Sequence, residues 1–269
     1  ALFNRIKGVP CFNYEYPPLG GGAANATKYI MEEFARRDTL HVDVVTSAVD
    51  NRWRRERIGG HVTIHYVPIG HKGDQLNYQT KRQLLLYTWR ALRYAHRLLR
   101  TEYYDLTHSF FAVPCGVLSL YFKKCHGVPY LVSLRGADVP GYSERFMHLY
   151  GILRPLVRWV WRNAAFVVTN SQGLRDLAKE SAPHQVFMHI PNGVDTQFYT
   201  PGIRTADDRR KEFRILCAAR LSRRKGFCDA ISAFAQIADA YPHATLTLAG
   251  GEGNATAELK AQAAQTEAI

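Results

Sequence analysis

Two short stretches carry residues whose types and spacing suit the binding of an anion. The first is Tyr16-Pro17-Pro18-Leu19-Gly20-Gly21-Gly22-Ala23, which leads into the helical pattern from Asn25 to Arg37. Three glycines let a backbone come close to a ligand, and the helix beyond offers unpaired N–H groups and the positive end of its dipole. A phosphate suits that chemistry. A plain tight turn suits the same residues, because the run is neither G-x-G-x-x-G nor a Walker pattern. The second stretch is Ala219-Arg220-Leu221-Ser222-Arg223-Arg224-Lys225-Gly226. It places Arg220 at the C-terminal end of a strand-like run and Lys225 at the start of a helical one, the edge at which open α/β sheets bind ligands. Two fixed cations there can neutralise a diphosphate, although a solvated basic turn reads the same way.

The elements that would hold these stretches alternate, short β-rich runs with longer helical patterns, as in a parallel-sheet α/β architecture. Strands are expected at Phe12 to Tyr16, His41 to Thr46, Val62 to Val67, Asp105 to Ser109, Tyr130 to Leu134, Phe166 to Thr169, Val186 to Ile190, Arg214 to Ala218 and Ala244 to Ala249. Most are continuous apolar runs, as expected where helices cover both faces of a sheet. Gly8 and Pro10 are unexpected in a central strand, since proline removes a ladder hydrogen bond. Asn170-Ser171 reads as a helix N-cap and Asn192-Gly193 as a turn.

The polar segment Thr200 to Glu212, which opens with Pro201 and Gly202, reads as a linker. It divides a complete Rossmann-like domain, residues 1–202, from an incomplete second one, residues 203–269, in which only strand, helix, strand, helix remain. So small a second sheet leaves an open edge, which further chain or self-association would cover.

The net charge is +12, from 35 Lys and Arg against 23 Asp and Glu. Residues 225–269 hold two lysines and five acids, so the remainder of the chain carries +15. That charge favours anionic partners: lipid headgroups, nucleotides or nucleic acid. The five cysteines are scattered without C-x-x-C spacing, which suits reduced thiols and a cytoplasmic location. No membrane span is expected, because Arg154, Arg158 and Arg162 interrupt the best apolar run. His61 and His65 lie in a strand-like run, not at the helical spacing that would aim two rings at one zinc, so a metal site is not expected.

Five segments together resemble glycosyltransferase family 4, in that family's order. They are the Tyr16 to Gly22 run, Ser133-Leu-Arg-Gly-Ala-Asp-Val-Pro140, Thr169-Asn-Ser171, Ile190-Pro-Asn-Gly-Val-Asp195 with Phe198 and Pro201, and Ala219-Arg-Leu with Arg224-Lys-Gly226. The resemblance implies the GT-B fold, two Rossmann-like domains, and transfer of a sugar from a nucleotide donor with retention and without a metal. It implies that Arg220 and Lys225 bind the donor diphosphate and stabilise the departing nucleotide, with Gly20, Gly21, Gly22 and Gly251 lining the donor site. Arg135 and Asp138 would stand on the acceptor side or beside the sugar. Arg135 occupies the place where many members carry histidine; it could pair with a phosphate or an acidic sugar, or form a salt bridge with Asp138 or another carboxylate. The family's E-x7-E segment is not reached before Ile269, so the chain is expected to be truncated and to have little or no transferase activity as it stands.

The stretch Lys81 to Arg100 carries six cations and no acid, interleaved with leucines and Trp89. At helical spacing it would lie against an anionic bilayer, or simply pack on the sheet with a solvated outer side. A second basic and aromatic run, Arg154 to Arg162, adds to the membrane reading, and the resemblance implies a glycan or lipid-linked acceptor in cell-envelope or exopolysaccharide synthesis at the inner membrane face. Two other classes use the same features: a basic nucleic-acid-binding protein, against which stands the absence of any RNP-like, zinc-knuckle or helix-turn-helix pattern, and a non-catalytic scaffold that keeps the fold.

Overall fold

The computed structural model describes residues 7–71, 76, 78–142, 147–201 and 213–265. These fall into two compact units, residues 1–193 and 194–269. Of the linker read from the sequence, residues 202–212 lie outside the described residues.

Unit 1 is built on an eight-stranded sheet. In chain order its elements are β1 (Gly8–Phe12), α1 (Gly22–Ala35), β2 (His41–Ala48), β3 (Arg54–Ile58), β4 (Val62–Pro68), α2 (Lys81–Thr101), β5 (Thr107–Phe110), α3 (Val117–His126), β6 (Tyr130–Leu134), α4 (Met147–Asn163), β7 (Phe166–Thr169), α5 (Gln172–Ser181) and β8 (Met188–His189). The strand order is β3-β4-β2-β1-β5-β6-β7-β8, and every neighbouring pair is parallel except β3 with β4. β1 is therefore the point where the chain first winds one way, to β2 and β4, and then returns on its other side to β5.

β1 departs from the sequence expectation: it begins at Gly8 and ends at Phe12, and includes Pro10 in the middle of the sheet. The ladder shows why proline is tolerated. Asn13 N–H donates to the Val45 carbonyl of β2, so by alternation the N–H groups of odd-numbered residues face β2 and that of Pro10 would face β5. β5 pairs with β1 only at Cys11 and Phe12, and Pro10 loses no ladder bond. Gly8 is required by close approach, since a Cβ there would stand 2.4 Å from the Tyr103 carbonyl oxygen. Asp105, read as strand, instead caps β1: its carboxylate accepts the N–H groups of Lys7 and Gly8 at 2.7 and 3.0 Å.

A strand not read from the sequence, β3, forms an antiparallel edge on β4 through the Gly59-Gly60 turn. Neighbouring residues of β4 point to opposite faces. Tyr66 meets Tyr16, from the loop before α1, while His65 meets Tyr94 of α2, so α1 and α2 cover different faces. α2 starts with a capping box: Thr80 Oγ1 accepts from Gln83 N–H, and Gln83 Oε1 accepts from Thr80 N–H. The core between helices and sheet is two contiguous apolar clusters, one around Phe12, Ile64 and Tyr87, the other around Tyr130, Val160 and Trp161.

Unit 2 pairs β9 (Phe213–Ala218) with β10 (Ala244–Ala249) in parallel, with α6 (Phe227–Ala235) and α7 (Thr256–Ala263) packed on one face. Phe227, Ile231 and Phe234 of α6 meet Ala244 and Leu246 of β10 there, whereas Phe213 and Leu216 of β9 are exposed.

Candidate functional site

In unit 1 the candidate residues gather past the C-terminal ends of β1, β5 and β6, at the switch point of the sheet, where ligands bind in open α/β folds. After β1, Asn13 is buried; its amide donates to Thr27 Oγ1 of α1 at 2.7 Å and its carbonyl oxygen accepts from Glu15 N–H at 3.0 Å. These bonds fold the loop so that Gly20, Gly21 and Gly22 lead directly into α1. Gly20 has φ +95°, and a Cβ there would strike the Glu15 side chain at 2.6 Å; glycine is the residue that fits. Gly21 occupies the N-cap position of α1 without a side-chain hydrogen bond, and the first turn holds no acid. Gly22 faces open space. The start of α1 thus presents N–H groups that no side chain caps, beside a backbone without side chains.

Past β6, Asp138 is buried, and its carboxylate accepts the backbone N–H groups of Ala112, Arg135 and Gly136 at 2.8, 3.1 and 3.1 Å. Burial pushes its pKa up, against those amides. Asp138 therefore ties the turn after β6 to the turn after β5. Arg135 makes no ion pair with it. The guanidinium Nη1 donates to Asn192 Oδ1 at 2.7 Å, Cζ stands 5.0 Å from the centre of the Phe110 ring, and Nε is buried with no acceptor. Burial lowers the pKa of Arg135, with Asp138 opposing. Asn192 and Gly193, read from sequence as a turn, are irregular backbone instead, and Asn192 is an Arg135 partner.

His108 lies on the same side of β5, buried, with its ring 4.2 Å from that of Phe110 and Nε2 2.9 Å from Ser133 Oγ. Its pKa falls from 6.5 to about 3, through burial and then the nearby Arg135 charge. The ring is therefore neutral at physiological pH. His108 and Phe110 had no signal in the sequence that linked them to Arg135, because they lie on β5 and meet β6 only through the β5–β6 register.

In unit 2 the chain leaves β9 at Ala218, passes Arg220, and enters a short 3-10 turn, Arg223–Lys225, closed by Gly226 at φ +70° before α6. Lys225 thus sits just ahead of α6 rather than on it. Arg220 is half-buried and Lys225 exposed. Arg223, between them, is held by Glu258 of α7 at 2.8 Å. The loop after β10 lies against this segment: Leu221 N–H donates to the Gly251 carbonyl at 3.1 Å, and a Cβ on Gly250 or Gly253 would stand 1.7 or 2.1 Å from the carbonyl oxygens of Ala219 or Leu221. Gly251 itself faces open space. Gly250 and Gly253, passed over in the sequence, are the two that let the loops meet. Among the described residues no group of three His, Cys, Asp or Glu side chains is placed to hold a metal ion.

Residues 20–198 match the model of Glycosyltransferase Family 4. The chain belongs to glycosyltransferase family 4. Its fold is GT-B, shared with solved structures that it covers to about two thirds of their length. The sucrose-phosphate synthase of Thermosynechococcus elongatus aligns over 97% of this chain and 67% of that one, at TM-score 0.73 and 20% identity. The UDP-forming alpha,alpha-trehalose-phosphate synthase of Burkholderia xenovorans aligns over 97% and 69%, at TM-score 0.62 and 13% identity. An E. coli trehalose-6-phosphate structure bound with UDP-2-fluoro glucose aligns over 96% and 69%, at TM-score 0.60 and 11% identity. No match was found among curated proteins. Among the described residues no helix is long and apolar enough to cross a membrane.

Proposed function

We propose that this chain transfers a sugar from a nucleotide-sugar donor, with retention of configuration, to a glycan or lipid-linked acceptor at the cytoplasmic face of a membrane, in the synthesis of an envelope or exported polysaccharide. The observation that carries the reading is the cation pair of unit 2. Arg220 and Lys225 follow the C-terminal end of β9, the kind of edge at which open α/β sheets bind ligands, and Arg223 between them pairs with Glu258. In this reading Arg220 and Lys225 bind the donor diphosphate and hold the charge that grows as the nucleotide leaves. Cations fixed in place before reaction lower the barrier without reorganising, and removal of one such group typically costs about 3 kcal/mol. Gly251 leaves room beside them.

In unit 1, Gly20, Gly21 and Gly22, at the uncapped start of α1, offer anion-binding backbone for a donor. Among the described residues Arg135 stands over Phe110 with no carboxylate partner, and an anionic group on the transferred sugar or the acceptor supplies an opposite charge. Asp138 acts through the backbone, by fixing the turn that carries Arg135. No protein nucleophile enters the proposal.

The experiment is to incubate the protein with UDP-, GDP- and ADP-sugars and follow the anomeric proton by NMR. A product or hydrolysed sugar that first appears with the donor's own configuration supports the reading. Appearance of the opposite configuration would refute retention.

A further inference from the structure

We propose that the outer face of α2, with Trp53 and Arg55 at the adjoining sheet edge, is a docking surface for an anionic lipid bilayer. The proposal rests on the membrane-face reading above and adds the surface that reaches the lipid.

The inner side of α2 is accounted for. Tyr87, Ala91 and Ala95 are buried, and Tyr87 donates to the Val45 carbonyl at 2.8 Å. The outer side is not. A spacing of four residues sets Lys81, Leu85, Trp89, Arg93 and Arg97 along one ridge that turns about 40° around the helix at each step and runs about 24 Å, at 1.5 Å per residue, and all five are exposed. Leu85 is 72% exposed and Trp89 52%. Two large apolar side chains therefore point outward between cations. Arg93 sits over the Trp89 ring at 4.9 Å.

The surface continues beyond the helix. The Trp53 ring lies 5.3 Å from that of Tyr94, and with Arg54, Arg55 and His65 they line a cavity of about 220 Å³. His65 is already committed, with Nε2 2.6 Å from Asp43 Oδ1 and Nδ1 2.8 Å from Tyr94 Oη. Arg54 is stacked on the Tyr66 ring at 3.7 Å, so Arg55 is the cation left to a ligand in this cavity, and it suits a lipid phosphate.

Charge complementarity selects the occupant. α2 holds no acid, so a second copy of this face would set cations against cations, and a neutral protein partner would bury them unpaired. A nucleic acid would satisfy the charges but leave Leu85 in water. An anionic bilayer answers both parts: headgroups meet the arginines, and Leu85, Trp89 and Trp53 enter the boundary with the acyl chains.

The test is flotation of the protein with vesicles of phosphatidylglycerol and phosphatidylcholine, against phosphatidylcholine alone, with nucleoside diphosphate binding measured in parallel. Binding is expected to the anionic vesicles only. Arg93→Gln with Arg97→Gln should weaken it about twentyfold or more, at roughly fivefold per cation near a charged surface. Leu85→Ser with Trp89→Ser should weaken it at least tenfold at unchanged charge, with unchanged circular dichroism. Trp89 fluorescence should shift to the blue on anionic vesicles in a protein carrying Trp53→Phe and Trp159→Phe. No binding by the unaltered protein, or equal binding by the serine variant, would overturn the proposal. So would retention of RNA at the same salt, tighter than vesicles and indifferent to the serine substitutions. None of these variants touches the cation pair of unit 2, so loss of vesicle binding with nucleotide binding intact, or the reverse, separates failure here from failure of the transferase reading.

Discussion

His108 should make unit 1 acid-sensitive, by an amount that its surroundings fix. The ring is buried between the Phe110 face and Ser133, beside the Arg135 charge, and its pKa falls from 6.5 to about 3. A base held neutral in the fold but free to take a proton in the unfolded chain favours unfolding as the pH falls. The loss begins as the pH passes below the unfolded value near 6.5 and continues down to the folded value. With these two values, linkage gives a loss of about 2 kcal/mol between pH 8 and pH 5. His108→Gln removes the proton-binding group and keeps a partner for Ser133. All four tryptophans, Trp53, Trp89, Trp159 and Trp161, lie in unit 1, so urea unfolding followed by tryptophan fluorescence reports that unit alone. The stability gap between the parent and His108→Gln should move by about 2 kcal/mol against the parent between pH 8 and pH 5. A gap that stays constant across that range, or an NMR titration of His108 near 6.5, would refute the argument.

Asp43 should add a second acid sensitivity, at lower pH. Burial alone would raise its pKa, but hydrogen bonds from His65 and Tyr104 outweigh that and lower it. Asp43→Asn should destabilise unit 1 by about 3 kcal/mol at neutral pH in the same urea assay, and the gap should close only as the pH falls below the ordinary carboxylate range, through the depressed folded value. In unit 2, Gly250→Ala or Gly253→Ala should lower the melting temperature and weaken nucleotide binding, because the new methyl meets the carbonyl of Ala219 or Leu221, while Gly251→Ala should alter stability little. Arg135→Ala should weaken binding of a nucleotide sugar bearing a carboxylate about tenfold or more, without changing the affinity for the bare nucleoside diphosphate, as read by calorimetry.

Much of the fold was legible because burial writes itself into composition. β2, β4 and β6 are apolar runs that helices cover, and the helical spacing of apolar residues from Lys81 to Arg100 marked α2. Ser171 was legible as an N-cap for the same local reason, and its hydroxyl accepts from Leu174 N–H at 3.2 Å. β3 was not. Arg54-Arg55-Glu56-Arg57-Ile58 has no apolar alternation, since an edge strand is held by one neighbour and faces water. Pro10 misled for a related reason: whether a proline costs a ladder bond depends on where the next strand begins, which no local window contains. At the site, the glycine run and the basic turn were visible because their chemistry is local. What fixes Arg135 was not, because its partner Asn192 lies 57 residues away in sequence. The Glu258 that holds Arg223 is likewise 35 residues distant.

Calorimetric titration of nucleoside diphosphates into the protein, alongside Arg220→Ala, Lys225→Ala and Arg223→Ala, tests the cation pair most directly. Binding should fall about a hundredfold for Arg220→Ala or Lys225→Ala, the weight of one fixed charge on a phosphate, and change little for Arg223→Ala, whose guanidinium is occupied by Glu258. Equal affinity across the three variants, or no binding by the unaltered protein, would contradict the assignment.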